Sequence, residues 1–345
     1  MGSVKRVVME VSPGERVAGV GRFEFSDGFS VFDYGYIEDI PRKGESLTLF
    51  GAKTFELVED YNIPTHYIGL IDNRGRAVRL DELEEPTNKM RIQLVNIPGP
   101  KHVKPSGEID YKAYTKEAVR VIPLEWIFRY SIPPGSSLRK RKSPREVGMN
   151  LDEWPNENIR LKKPIIECST KFESSDRYLD DEEALDISGL SDEEFRRMKD
   201  YTRRVGDIIT NHCRKVGFEH LDGKVEFIYV DGEIMLGDVA GTPDENRFTT
   251  HGKSFSKQIL RNWYMVNDRE WYNYINDAKK LARVRKIPDW REIAPVAPKK
   301  LPEGLVELVG LAYQSGANIY TERNFFDTPN MDYILEEIYS NFKLR

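Results

Sequence analysis

Cysteine is nearly missing from this chain: two among 345 residues, Cys168 and Cys213, far apart and without a C-x-x-C pair. That excludes a disulfide scaffold and a cysteine-built zinc ribbon, and it fits a reducing compartment. Histidine is scarce too, five residues with neither H-E-x-x-H nor triad spacing, so they read as structural. No run of about 18 apolar residues exists and the N-terminus carries no signal-peptide apolar stretch, so the expectation is a cytoplasmic protein away from membranes. Charge of one sign is also lacking. Charged residues make up 32% of the chain, yet the formal net charge is −5, and no global field points to nucleic acid. No internal repeat is evident. A chain of 345 residues permits one large or two medium domains.

What the chain does have is concentrated in His220-Leu221-Asp222-Gly223-Lys224-Val225-Glu226-Phe227, followed by Leu236-Gly237-Asp238. Asp222, Lys224 and Glu226 alternate along an expected strand and so share one face. Three charges on one strand face do not build a core. With Asp238 they supply hard oxygen ligands and an ammonium, the donor set of a Mg²⁺–nucleotide site. A two-residue turn at Asp231-Gly232 would set Val230 against Glu233 and Glu226 against Gly237, which turns Asp238 to the other side of the sheet. A metal shared by Glu226 and Asp238 then requires the pairing to shift by one, through a three-residue loop or a bulge. The competing reading is a solvated hairpin with its charges on the wet face.

Residues 4–11, 16–25, 66–72, 90–95 and 119–128 read as strands, and 46–61 as a helix with Leu47, Phe50, Phe55, Leu57 and Val58 inward. The Pro-rich stretch 97–118 reads as a surface loop. Arg139-Lys140-Arg141-Lys142 reads as a solvated loop, with a nucleic-acid patch or a lid over a phosphate as alternatives. Ser191 and Glu194 form a capping box for a helix whose Phe195, Met198, Thr202, Val205, Ile209 and Cys213 face inward, ending near Gly217. Cys213 is thus a core thiol. Helices follow at about 254–263, at 268–283 with Trp271, Ile275, Ala278 and Leu281 on one stripe, and at 303–315. The apolar residues of the remaining tail could pack on a partner subunit, which leaves room for a homo-oligomer.

Four strings fall in a shared order: Ser26-Asp27-Gly28-Phe29-Ser30-Val31-Phe32-Asp33 with Ile40-Pro41-Arg42-Lys43-Gly44; Val121-Ile122-Pro123-Leu124-Glu125 through Arg129, then Gly135-Ser136; Asp222-Gly223-Lys224-Val225-Glu226-Phe227; and Gly237-Asp238, then Pro243-Asp244 and Arg247. Together they resemble the SAICAR synthetase (phosphoribosylaminoimidazole-succinocarboxamide synthase) family across most of the chain. The resemblance implies a SAICAR-synthase-like α+β fold of two domains with an ATP-grasp-like nucleotide cleft. Residues 1–120 would be an antiparallel-sheet domain contributing the nucleotide phosphate site. Residues 121–345 would be a larger α+β domain with the metal and ribonucleotide sites and C-terminal helices.

It further implies an ATP- and Mg²⁺-dependent ligase of de novo purine biosynthesis. Such an enzyme joins L-aspartate to the carboxylate of carboxyaminoimidazole ribonucleotide through an acyl phosphate. On that reading Glu226 and Asp238 hold the metal, Lys224 neutralises phosphoryl or carboxylate charge, and Asp222 orients Lys224 or the incoming amine. Lys5, of a glycine–lysine strand beginning at Gly2, and Lys171 reach nucleotide phosphates. Val121 offers backbone groups to adenine, with Glu125 near the ribose. Arg129, Ser136 and Arg247 bind the ribonucleotide phosphate, and Ser30, Asp33 and Asp176 line the acceptor or aspartate site. The partners are ribonucleotide, aspartate and ATP, with neither nucleic acid nor membrane. The chain departs from the family pattern at Gly28, Pro133-Pro134, Ser175 and Val239. Two alternatives stay open: a related ligase for another azole acid or amine, and a nucleotide-binding subunit with weakened catalysis.

Overall fold

Strict alternation builds the first sheet. In β2 (Gly19–Phe25) every second residue is buried, and β1 (Lys5–Val11) lies antiparallel beside it. The computed structural model describes residues 5–173, 177–285, 287 and 289–344. β3 (Gly28–Ser30) and β4 (Tyr36–Asp39) form a small ribbon. β5 (Tyr67–Ile71), β6 (Ala77–Val78) and β7 (Lys89–Leu94) complete a five-stranded sheet in the order β1-β2-β7-β5-β6, antiparallel at every pair. Helix α1 (Lys43–Glu59) covers it, burying Leu47, Phe50, Phe55 and Val58 as its period predicts, while Leu57 is half-buried. Phe55 stacks on Tyr67 at 5.6 Å between centroids. Asp27 secures the start of α1 by accepting from the Gly44 N–H at 2.8 Å.

The second sheet carries the charged strand. It contains β8 (Val119–Ile132), β9 (Ile159–Thr170), β10 (Tyr178–Leu179), β11 (Glu219–Val230), β12 (Glu233–Gly237), β13 (Asn246–Thr250) and β14 (Lys253–Ser254). Its order is β10-β9-β8-β11-β13-β14. β12 shares the edge of β11 with β13: β12 pairs along residues 226–230 and β13 along 219–223. Lys224 and Val225 lie in the gap, where the chain from 238 to 245 crosses and the Glu245 carbonyl accepts from the Lys224 N–H at 3.2 Å. That split edge brings loop residues onto the strand's centre.

The helices differ from their expected bounds by a few residues, with three corrections of substance. The stretch 97–118 is not a plain surface loop: it holds a 3₁₀ turn at Pro100–His102 and α2 (Tyr111–Tyr114), and Tyr114 is fully buried. The basic run is not a solvated loop. It forms α3 (Leu138–Arg141), where Arg139 lies over Trp154 and Arg141 lies over Tyr178 and pairs with Glu167 at 3.0 Å. Only Lys140 and Lys142 are exposed, because guanidinium planes gain from stacking where ammoniums prefer water. Beyond α4 (Asp181–Ser188), α5 (Asp192–Lys215) carries the Ser191/Glu194 capping box and the expected buried face.

After α6 (Gln258–Asn267), α7 (Arg269–Arg285) buries Trp271, Ile275, Ala278 and Ala282, with Leu281 half-buried, as the 4-3-4 spacing requires. The third correction concerns the tail. Helices α8 (Glu303–Thr321) and α9 (Met331–Asn341) bury Tyr313, Tyr320, Ile334, Leu335 and Ile338 within this chain. The Tyr320 ring lies 4.7 Å from Phe50 of α1. The tail's apolar face is thereby used internally, which removes that argument for a partner subunit. Among the described residues no helix is long and apolar enough to cross a membrane.

Candidate active site

Asp222, Lys224 and Glu226 do share a face. Opposite them on β8 stand Arg129, Ile127 and Glu125 in register. Gly223 between them allows no side chain, since a Cβ there would lie 1.9 Å from Asn246 Oδ1 and 2.7 Å from the Phe128 ring. Val225 and Phe227 point into the core on the other face.

The hairpin takes the unshifted register, Val230 with Glu233 and Glu226 with Gly237. The expectation that a shared site needs a shift by one is therefore corrected. Asp238 leaves β12 in the left-handed region, φ 54°, which Asp adopts more readily than most residues. His66 Nε2 lies 3.0 Å from the Asp238 carbonyl. The two carboxylates feel each other: burial, then Asp238, pushes Glu226 up to about 7. Burial acts on Asp238 in the same sense, but Lys5 and Lys171 outweigh it and hold this carboxyl below its usual range. Lys171 is salt-bridged to Glu226, and Lys5 Nζ sits 2.5 Å from Asp238 Oδ1. Among the described residues no cluster of three or more His, Cys, Asp or Glu would hold a metal alone. Two neighbouring carboxylates still fit Mg²⁺, which takes one or two of them and fills its octahedron with phosphate oxygens and water.

Farther along the face, Arg129 is 3% exposed and donates to Glu167 at 2.9 Å, Asp222 at 3.1 Å, Ser136 at 3.4 Å and Ser137 at 3.2 Å. Arg247 grips Asp222 through two bonds of 2.8 Å. Asp222 thus orients arginines, not Lys224. Lys224 instead lies 3.2 Å from both Glu125 and Glu245, and these outweigh burial to hold its ammonium well above the ordinary range. Glu125 is accordingly a partner of Lys224, whatever it offers a ribose. Both backbone groups of Val121 are engaged, its N–H with the Asn96 carbonyl and its C=O with the Tyr114 hydroxyl. Beyond Val121 the β8–β11 pairing is irregular, with Val121 opposite Ile228 and Glu125 opposite Glu226.

Ser30 is half-buried, and the exposed Asp33 pairs with Lys279 at 2.8 Å. Gly2-Ser3-Val4 and Asp176 lie outside the described residues. Five side chains were missed. Lys43 is fully buried and lies 2.9 Å from Asp244, which also accepts from Tyr313 at 2.7 Å. Lys257, the residue just before α6, and Arg261, one turn on, stand beside Asp244 and Glu245. Lys43 and Asp244 were visible as motif letters, whereas Glu245, Lys257 and Arg261 carried no signal until the loop folded over them. Val7 and Met9 share a face of β1 with Lys5, ahead of a bulge between Met9 and Val11, and are exposed at 47% and 61%, leaving apolar surface beside the Lys5–Asp238 pair.

Residues 15–277 match the family described as SAICAR synthetase. The chain is 39% identical, over 98% of both sequences, to a provisionally named phosphoribosylaminoimidazole-succinocarboxamide synthase of Archaeoglobus fulgidus. Its fold is similar to that of a SAICAR synthase from Saccharomyces cerevisiae solved with SAICAR: TM-score 0.59, 19% identity, 92% of this chain and 97% of that one. It is also similar to a SAICAR synthetase solved with ADP: TM-score 0.54, 23% identity, 76% of this chain and 88% of that one.

Proposed function

The chain belongs to the SAICAR synthetase family, and from that membership we propose that it joins aspartate to the carboxylate of carboxyaminoimidazole ribonucleotide with ATP, giving SAICAR, ADP and phosphate. A carboxylate oxygen of the acceptor attacks the γ-phosphorus and ADP leaves. The aspartate amine then attacks the acyl carbon, and phosphate departs with the oxygen that carried it. Neither step needs a covalent bond to the protein. Positioning and charge neutralisation supply the catalysis.

One observation carries the site assignment: two lysines sit on the Glu226/Asp238 pair, where a metal–triphosphate would bring its own positive charge. Mg²⁺ bound between these carboxylates would screen phosphate charge. Lys171 and Lys5, released from them, turn their ammoniums to phosphate oxygens. Lys224 faces the acceptor carboxylate, steered by Glu125 and Glu245. The apolar surface of Val7 and Met9, beside Lys5, receives the base. Arg129, Ser136 and Arg247 receive the ribonucleotide phosphate through the forked geometry that suits phosphate oxygens. Residues up to about 120 and those beyond form the two sides of the nucleotide cleft.

ADP release by the purified protein, with ATP, acceptor and aspartate omitted in turn, tests the reading. All three are required. Release at the full rate with another amine in place of aspartate, and none with aspartate, would overturn it.

A further inference from the structure

Asp238 is held from two directions. Its carboxylate meets Lys5 at 2.5 Å, and its backbone carbonyl lies 3.0 Å from His66 Nε2. A carbonyl oxygen only accepts, so Nε2 is the ring nitrogen that carries hydrogen and donates. The two contacts differ in what they leave free. Lys5 occupies carboxylate oxygens that Mg²⁺ would need, whereas His66 holds an atom that a carboxylate-bound ion does not use.

His66 is itself fixed. It is buried, its ring 5.6 Å from Phe23 and 5.3 Å from Phe55 between centroids. Its N–H donates to the Leu236 carbonyl at 2.9 Å, and its own carbonyl accepts from the Gln93 N–H at 2.7 Å. The Leu236 N–H donates to the Pro64 carbonyl at 2.8 Å, so Thr65 forms a parallel bridge with Leu236. The residues just ahead of β5 therefore bond to β7 on one side and to β12 on the other, and they join the two sheets next to Asp238. Residue 238 needs such a brace. The unshifted hairpin register would turn its side chain to the far side of the sheet, and the left-handed backbone, φ 54°, returns it toward Glu226. A residue other than glycine keeps that conformation where its surroundings over-determine it.

We propose that His66 is a positioning residue of the metal site, its ring donating to the Asp238 carbonyl so that the Asp238 carboxylate stays aimed at Glu226 when Lys5 is released. This rests on the Glu226/Asp238 metal assignment above. It adds a residue of the first sheet to that site, so the seating of the first sheet on β12 sets the geometry of the carboxylate pair.

His66→Phe keeps a ring between Phe23 and Phe55 and loses the donor, with His66→Met in its place should the Phe protein not fold. His66→Gln restores a donor. Calorimetric titration of ADP, with and without Mg²⁺, reads the metal's contribution without turnover. The Mg²⁺-dependent gain in ADP affinity falls at least about fivefold in the protein without the donor, His66→Gln recovers part of it, and metal-free ADP affinity stays within roughly twofold. The Mg²⁺ concentration for half-maximal turnover rises in step. In an Asp238→Asn background the same substitution changes the gain by less than about twofold, because His66 acts through residue 238. An unchanged gain in the donorless protein overturns the inference and leaves the metal assignment standing. Equal losses of ADP affinity with and without Mg²⁺ make His66 a packing residue and overturn it as well. A full gain in Asp238→Asn fails the metal assignment, and the inference with it.

Discussion

Arg247 holds Asp222 by two parallel hydrogen bonds, Nε to Oδ1 and Nη2 to Oδ2, both 2.8 Å, while Arg129 reaches the same carboxylate at 3.1 Å. One carboxylate therefore sets two guanidiniums at the end of the strand face. Asp222→Asn leaves both facing a neutral amide, and the buried Arg129 keeps only Glu167 as a charged partner. Unfolding free energy in urea should fall by about 3 kcal/mol, with the acceptor KM raised and the ATP KM unchanged.

Asp238 offers a clean test of the carboxylate pair, because its left-handed backbone, φ 54°, suits Asn as well as Asp. Asp238→Asn should keep its thermal midpoint and lose turnover by roughly a hundredfold or more, as should Glu226→Gln. Asp238→Ala adds about 1–2 kcal/mol of backbone cost, so only that variant should also melt earlier. Full activity of Asp238→Asn at limiting Mg²⁺ contradicts the metal assignment.

His220 is buried between the Thr210 hydroxyl at 2.8 Å and Asn246 Oδ1 at 3.0 Å. Burial pushes its pKa down to about 4 from the ordinary 6.5. The unfolded chain thus binds the proton more readily, so this contribution is complete above pH 6.5 and is lost as pH falls toward 4. Up to about 3 kcal/mol is at stake. Urea midpoints at stepped pH should fall across that window for the native protein. They should fall less for His220→Gln.

Tyr313 of α8, beyond the family-matched residues, donates to Asp244 Oδ1 at 2.7 Å. Burial would raise this carboxyl, but Lys43 and Lys257 outweigh it and hold Asp244 at about 2. Tyr313→Phe removes a donor from a buried anion and should cost about 1–3 kcal/mol in thermal or urea unfolding. Deleting the C-terminal helices would remove this contact along with the packing on α1.

The strand face and the α5 helix could be read directly, because alternation and capping are local. The four motif strings made the family legible as well. What could not be read depends on the path of the chain between elements. The position of Asp238 followed from one left-handed backbone angle, not from register. Glu245 reached Lys224 because β12 and β13 divide one edge of β11. Lys257 and Arg261 stand in an ordinary helix start, and only the loop packed against them makes them conspicuous. Arg139 and Arg141, a charge run in one dimension, became stacked and paired through Trp154, Tyr178 and Glu167, which lie 15 to 37 positions from their partners in the sequence.

The central claim is that the acceptor carboxylate is activated by phosphoryl transfer before the amine attacks. Turnover with heavy-oxygen label in that carboxylate tests it most directly, by mass spectrometry of the released phosphate. An acyl phosphate leaves one labelled carboxylate oxygen on phosphorus when the amine displaces it, so the label should appear in inorganic phosphate, one atom per SAICAR formed. Unlabelled phosphate, or label recovered in AMP, would contradict the account.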